Sequence, residues 1–270
     1  MTAAALRRDS LMRMRGTGWL LANVATITGR HLRRLIRVPT LLAFATVQPV
    51  LFVLLFTYAW GGAVHLPGVQ RYVDYALPGI WVLALAFGAS QTGVAFADDL
   101  TTGMIDRFRA LPMARSAVLI GRIVADAARN LFVLVLMTGV AYAIGFRFHA
   151  GFSAALAAVG LALTLGVTFS STFALLGLLI GDPESANVGG LLAVIPLIFT
   201  SSTFVPIATF PAPLEAFAGI NPITLTVDAL RVLCLGGPTS TAVQHALLCI
   251  TALFALTLPA ATWRYRRACT

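Results

Sequence analysis

Long apolar runs broken by short polar stretches organise this chain. Six of them lie at roughly 41–63, 75–97, 117–146, 152–180, 187–208 and 241–263. Each reaches or exceeds the ~20 residues that an α-helix needs to cross about 30 Å of hydrocarbon. A transmembrane barrel would alternate apolar and polar positions in segments of about ten residues, and no such alternation occurs. The pattern predicts an all-α polytopic membrane protein with six transmembrane helices. Residues 17–37 follow another rule. Arg30, Arg33, Arg34 and Arg37 fall at i, i+3, i+4 and i+7, which is one helical face, with Leu21, Val24, Leu32, Leu35 and Ile36 roughly opposite. Such a helix lies in the headgroup boundary, apolar face down and Arg in water. It serves as an elbow for a cytoplasmic partner, as an orientation anchor, or as both.

Polar and breaking residues mark the runs individually. The first begins after Pro39, contains Pro49 and ends at Gly61-Gly62; the second starts near Pro78-Gly79 and ends at Asp98-Asp99. Ser90, Gln91 and Thr92 sit in the middle of the second run. Gln91 and Thr92 there either face cargo or bond a neighbouring helix. The fourth run carries Thr164, Gly166, Thr168, Ser170, Ser171, Thr172 and Gly177, which suit close helix packing rather than a polar pore. A short acidic loop, Gly181-Asp182-Pro183-Glu184, separates it from the fifth run, which holds Pro196. Thr200 to Leu233, with Pro206, Pro211, Pro213 and Pro222, is too polar and Pro-rich for an ordinary span and too apolar for a simple loop. It reads as short helices dipping into the outer leaflet, tolerated only where buried in protein or beside water.

Charge fixes the expected orientation. The chain has 19 basic residues, all Arg, against 10 acidic ones. Eight Arg precede the first run, five (Arg107, Arg109, Arg115, Arg122, Arg129) cluster between the second and the bilayer part of the third, and three (Arg264, Arg266, Arg267) follow the sixth. Only Arg71, Arg147 and Arg231 lie in the other connections. By the positive-inside rule both termini are cytoplasmic. The expected organisation is a cytoplasmic N-terminus with its interface helix (1–38), a six-span domain (39–263) and a cytoplasmic tail (264–270) in the cell membrane. The composition, 59% hydrophobic and 11% charged, excludes a soluble core, since soluble domains carry about 25% charged residues. Arg beside spans fits anionic headgroups better than nucleic acid. The stretch Trp19–Gly29 is short and followed by more Arg, so no cleavable signal is expected.

Catalytic chemistry finds no support. Without Lys the chain cannot carry a Walker A loop, whose Lys reaches the phosphates. Cys234, Cys249 and Cys269, and the four His, show no metal-ligand spacing. The informative stretch is Asp98 to Asn130. Asp106, Arg107 and Arg109 make a short charged helix, Pro112 ends it, and Ser116 can cap the next. Arg122–Asp126 at i+4 and Asp126–Arg129 at i+3 can then pair. A helix lying across the membrane face between two spans is suited to pass a push from a soluble partner into both.

These residues carry a resemblance. Gly103, Arg107, Leu111-Pro112, Arg115 and Gly121-Arg122 resemble the cytoplasmic signature of type-2 ABC exporter permeases, closest to the daunorubicin/doxorubicin-resistance branch. A second block agrees: Phe204-Val205-Pro206, Pro211, Asn221-Pro222 and Asp228-Ala229-Leu230-Arg231 before Gly236-Gly237. The resemblance covers essentially the whole chain. It implies a coupling helix at Thr102–Leu111, with Gly103, Asp106, Arg107, Arg109, Leu111 and Pro112 facing a separate ATPase. It also implies an interface helix at Gly18–Arg37 and an external re-entrant segment at Pro211–Leu233. A cytoplasmic ATPase subunit would bind ATP and Mg, leaving this chain without a cofactor or catalytic site of its own. A second permease copy or paralogue would complete the pore, with the second and fifth spans at the seam and Gly88, Ala89 and Gly93 allowing close approach.

The expected function is the membrane subunit of an ATP-driven exporter of hydrophobic, drug-like or lipid-like compounds. Export of a lipid-linked polysaccharide ranks below it, because no aromatic cluster suited to sugar stacking stands out. An ion-coupled secondary transporter would favour ionisable residues near mid-bilayer, whereas these charges gather at span ends. An intramembrane enzyme lacks its constellation.

The coupling stretch generates one prediction. Asp106→Arg or Arg107→Glu should abolish efflux and ATPase co-purification while expression stays near wild type. Unpairing a desolvated interfacial charge costs about 2–5 kcal/mol, against ~0–1 kcal/mol for an exposed pair. The same reversal at Arg267 should do little. Full efflux and full ATPase recovery in both variants would make the stretch an ordinary solvated loop.

Overall fold

The computed structural model describes residues 17–37, 39–60, 71–104 and 115–268, and all regular structure among them is helical. In chain order these are α1 (Thr17–Arg37), α2 (Pro39–Leu55, continued by a π-helical turn Phe56–Trp60), α3 (Tyr72–Thr101), α4 (Arg115–Ala143), α5 (Phe152–Ile180), α6 (Pro183–Phe199), α7 (Ala212–Ile220), α8 (Pro222–Leu235) and α9 (Thr239–Ala268). Four are long and apolar enough to cross a membrane: α3, Val118–Ala143 of α4, α5, and Thr239–Tyr265 of α9. The pair α7 and α8 is bent by 73° and makes a fifth if it counts as one broken span. The expected first and fifth spans are the shorter helices α2 and α6, each 17 residues.

Helix ends explain the revised boundaries. α6 stops at Phe199 rather than running to 208 because hydroxyls take its last carbonyls. Thr200 Oγ1 donates to Pro196 O at 2.6 Å and Ser201 Oγ to Ile198 O at 2.5 Å. It starts four residues earlier than expected, since Asp182 caps it by accepting from the Ser185 amide at 2.8 Å and Pro183 fits the first turn. The Ser185 amide and hydroxyl both stabilise the charged Asp182 carboxyl, holding it below the usual carboxylate range. α5 ends on Gly181 at φ 79, a left-handed cap that favours Gly. α4 ends at Ala143, three residues short of the expected limit, because Gly145 turns the chain at φ 109 and Phe146 N bonds back to Ala141 O. α4 also begins at Arg115, which places Ser116 inside its first turn.

The centre is α3. Two-thirds of its apolar window is buried, more than in any other candidate span. It packs on α4, α5, α6 and α8. Its tightest crossing is with α5 through two glycines. A Cβ on Gly93 would lie 2.5 Å from Phe173 O, and one on Gly177 would overlap Gly93 O. Gly79, about two turns from the other end, comes equally close to Thr203 O, at 2.6 Å from an added Cβ. Of the fourth run's hydroxyl residues, Thr168, Ser170 and Ser171 are buried, Thr172 is half-buried and Thr164 is exposed. Ser171 Oγ and Thr257 Oγ1, 2.8 Å apart, join α5 to α9, while Thr168 and Thr172 bond the carbonyls a turn back. The expected use of Gly88, Ala89 and Gly93 at a seam is corrected: Gly88 faces Arg129, Ala89 is fully buried, and Gly93 meets α5.

α1 packs on the bundle. Part of its apolar face sits on α4, where Ile27 is buried and a Cβ on Gly121 would lie 2.8 Å from Ile27 Cβ. Thr28 Oγ1 donates to Gly121 O at 2.9 Å. Arg30, Arg33 and Arg37 point outward along a shallow groove with Thr26 and Gly29. Beside this contact a small second core joins Phe96 and Leu100 of α3, Val118 and Leu119 of α4, Leu178 of α5 and Tyr265 of α9. Among the arginines whose side chains are described, Arg30, Arg33, Arg37, Arg122, Arg264 and Arg267 lie toward the α1 end and Arg71, Arg147 and Arg231 toward the other, while Arg129 sits at the middle of α4, beside Gly88 of α3.

Gly177→Ala should lower the thermal stability of the purified protein by the ~1–3 kcal/mol typical of overpacking. Gly160→Ala, on the same helix with no atom within 4 Å of an added Cβ, should be neutral or slightly stabilising. Equal melting behaviour of the two variants would refute the α3–α5 crossing.

Candidate functional site

Between α1, α2, α3 and α4 lies a cavity of about 560 Å³. α1 contributes His31 and Leu32, α2 contributes Gln48, Pro49 and Phe52, α3 runs along it from Ala84 to Ala95, and α4 from Arg122 to Val133. Phe52, Phe87 and Val133 give it an apolar wall, and the two aromatic rings pack with centroids 6.2 Å apart. Gln91 and Thr92, singled out from sequence, both line it. They do different things. Thr92 is buried and its hydroxyl donates to Asp126 Oδ2 at 2.6 Å, so it bonds a neighbouring helix. Gln91 is exposed to the cavity.

α4 supplies the cavity's charges. Asp126 and Arg129 pair as expected for i, i+3, but loosely, at 3.9 Å. The expected Arg122–Asp126 contact is replaced. Arg122 reaches across to Asp99 on α3 at 3.1 Å, with its guanidinium 5.0 Å from the Phe96 ring centroid. That frees Asp126 for Thr92. Two glycines make room for the neighbouring pair. A Cβ on Gly88 would lie 2.8 Å from Arg129 Nη2, and one on Gly166 would lie 2.8 Å from Asn130 Nδ2. Asn130 Oδ1 accepts from Arg129 at 3.4 Å, while its buried Nδ2 has no partner among the described residues. Little of this was legible from sequence beyond the i, i+3 spacing, since Asp99, Thr92, Gly88 and Gly166 all come from other helices.

The opposite end is held by Arg231 of α8. Its Nε donates to Tyr75 O at 3.1 Å, Nη1 to Asp228 Oδ1 at 3.1 Å, and Nη2 to Ser202 O at 2.6 Å and Thr203 O at 3.1 Å. Its Cζ stands 3.6 Å from the Tyr75 ring centroid. Asp228 also accepts from Ser202 Oγ at 2.7 Å. The sequence placed Asp228 and Arg231 in the irregular segment, but their partners, the carbonyls where α6 unravels, appear only in three dimensions. Asn221 has a paired role. Its Oδ1 accepts from the Ile223 amide at 2.9 Å, capping α8, and its Nδ2 donates to Leu197 O at 2.7 Å, tying that cap to α6. Pro222 occupies the first turn of α8, while Pro206 and Pro211 precede the 3₁₀ turn Ile207–Thr209 and α7. These six residues build and lock the bent segment.

Of the coupling residues, Gly103 is described. It follows α3 at φ 64, a left-handed position suited to Gly, and Thr102 N caps the helix on Asp98 O. Asp106, Arg107, Arg109, Leu111 and Pro112 lie outside the described residues. Arg34 is on α1, on the same face as Arg30, Arg33 and Arg37 by spacing. Among the described residues no group of His, Cys, Asp and Glu could hold a metal ion.

Arg231→Gln should destabilise the protein by about 1–3 kcal/mol, because it strands the buried carbonyls that the guanidinium serves, while its partner Asp228 is itself part-exposed. Arg147→Gln, exposed and bonded to the Tyr142 and Phe146 carbonyls, should cost under about 1 kcal/mol. Thermal unfolding in one detergent measures both, and a near-neutral Arg231→Gln would remove the lock.

Comparison with known proteins agrees with this architecture. Residues 22–235 match the family model described as "ABC-2 type transporter". The chain is 31% identical over 198 residues, 73% of its length and 70% of the relative's, to the daunorubicin resistance ABC transporter permease protein DrrB1 of Streptomyces coeruleorubidus. It is 27% identical over 216 residues, 78% of its length and 76% of the relative's, to the probable doxorubicin resistance ABC transporter permease protein DrrC of Mycobacterium tuberculosis. An amphipathic α1 seated on a bundle of apolar helices, with a family match reaching from α1 through α8, makes this chain a multi-pass membrane protein of the ABC-2 type transporter permease family.

Proposed function

We propose that this chain is the membrane-spanning half of an ATP-driven exporter. It moves hydrophobic drug-like or lipid-like compounds out of the cytoplasm or inner leaflet, and a separate cytoplasmic ATPase binds ATP and Mg. The observation that carries this reading is the α1 end. An Arg-faced helix is fixed to α4 through Gly121, beside the end of α3 from which the undescribed connection 105–114 departs. A soluble subunit pressing there would act on α1, α3 and α4 together, and those three helices bound the cavity. The relatives named for daunorubicin and doxorubicin resistance favour drug-like cargo.

The topology that fits this function has six spans, with α2 and α6 completing the four long helices and α7–α8 folded back as an external re-entrant hairpin. Both termini are then cytoplasmic, on the side of the described Arg-rich end. Arg267 over the Trp263 ring, 3.9 Å from its centroid, suits the inner headgroup boundary. A second permease copy or a paralogue closes the pore. Val188, Leu192, Ile195 and Phe199 form an exposed stripe at i, i+4, i+7, i+11 on α6 and give the fifth span an apolar face for that contact.

Two measurements test the division of labour. Nucleotide photolabelling of the purified permease alone should give no specific product. Co-reconstituted with its ATPase, it should show ATP hydrolysis that rises with an added uncharged, drug-like amphiphile. Specific labelling of the permease, or hydrolysis indifferent to every amphiphile offered, would contradict it.

A further inference from the structure

We propose that the α1–α4 cavity is a cargo site within a single chain, selective for amphiphiles whose polar end is rich in hydrogen-bond acceptors. It deepens the exporter reading and rests on it. Its volume, about 560 Å³, falls within the ~300–1,000 Å³ that holds drug-sized ligands. The apolar wall of Phe52, Phe87 and Val133 takes a ring system or chain. The polar side is unusual in what it leaves unused. Arg129 has five N–H donors, yet its protein contacts are a 3.9 Å approach to Asp126 and a 3.4 Å bond to Asn130. It remains 21% exposed. Gln48 and Gln91 are exposed at the cavity and make no hydrogen bond to the protein among the described residues. Arg122 is different: its charge is already matched by Asp99 at 3.1 Å.

Donors therefore outnumber acceptors. Asp126, the one carboxylate lining the cavity among the described residues, already accepts from Thr92. A carbonyl, hydroxyl or phosphate group entering here would gain charge-assisted bonds from Arg129 and amide bonds from Gln91 and Gln48. A cationic head would meet Arg129 instead. Gly88 sets the geometry, because any larger residue would push into Arg129 Nη2. The site is also wired to the α1 end. His31 and Leu32 of α1 form part of its lining, so a displacement of α1 changes the cavity directly. Two sources share this chemistry, a polycyclic quinone and a phospholipid headgroup.

The test is cysteine protection in the full chain, co-expressed with its ATPase and held in nanodiscs. Gln91→Cys replaces the cavity amide in a background where the three native Cys are Ser. Its rate of maleimide labelling is read with and without 1,8-dihydroxyanthraquinone or dihexanoyl phosphatidylglycerol. Protection by the quinone alone assigns drug-like cargo, protection by the phospholipid alone assigns a lipid headgroup, and protection by both assigns the shared class. Arg129→Gln should raise the half-protecting concentration about tenfold or more, the loss of one charged hydrogen bond. Gly88→Ala, which displaces the guanidinium without deleting it, should act in the same direction. Leu156→Cys, exposed on α5, reports folding and should label at one rate throughout. No protection by either probe, with Leu156→Cys labelling and ATPase co-purification intact, overturns the site. Protection unaffected by Arg129→Gln and by Gly88→Ala overturns it as well. Protection in a chain that retains no ATPase would instead keep the cavity and remove the exporter.

Discussion

The α3–α5 crossing at Gly93 and Gly177 is the contact on which the rest of the bundle depends. In a membrane there is no hydrophobic drive to bring helices together, so close van der Waals approach has to supply it. Two glycines facing each other let the backbones meet without side chains between them. With α5 held there, the other sides of α3 are covered by α4, α6 and α8. α9 then joins α5 through the Ser171–Thr257 hydroxyl pair.

The two ends of this bundle treat polar groups differently. At the α8 end, Arg231 divides its donors among three carbonyls and one carboxylate and lies against the Tyr75 ring. Such a network is rigid because every alternative leaves buried acceptors bare. In the cavity beside α1 the pairing is incomplete. Arg122 is matched to Asp99, but Arg129 is held loosely and two glutamines face open space. A locked far end and an adaptable near end are what a membrane subunit needs if force arrives from one side only.

The sequence made the architecture readable where the signal is local. Apolar run length identified the helices, and the Arg30–Arg37 spacing identified α1 and its outward face. The Pro and Asn pattern after Thr200 identified the bent segment, with Asn221-Pro222 as a helix start. Boundaries failed where a turn depends on hydroxyl capture, as at Thr200 and Ser201, or on a single glycine, as at Gly145. The site was half legible. Gln91 and Thr92 were found because polar side chains in mid-span stand out, but their division into an exposed amide and a bonded hydroxyl depends on Asp126 one helix away. Arg122 took Asp99 rather than its own-helix neighbour, and Gly88 and Gly93 packed inside the chain, because tertiary partners outcompeted the i, i+4 pair and the expected seam.

The central claim is that α1 and α4 form one unit that carries a push at the α1 end into the cavity. Its most direct test is a pair of spin-label distances in the reconstituted complex, with and without trapped ATP. Labels at Arg33 on α1 and Gly139 on α4 should keep their separation within one chain. The distance from Arg33 to Leu192 on α6 should change. If the Arg33–Gly139 distance shifts as much as the Arg33–Leu192 distance, α1 slides on α4 and the coupling through Gly121 is wrong.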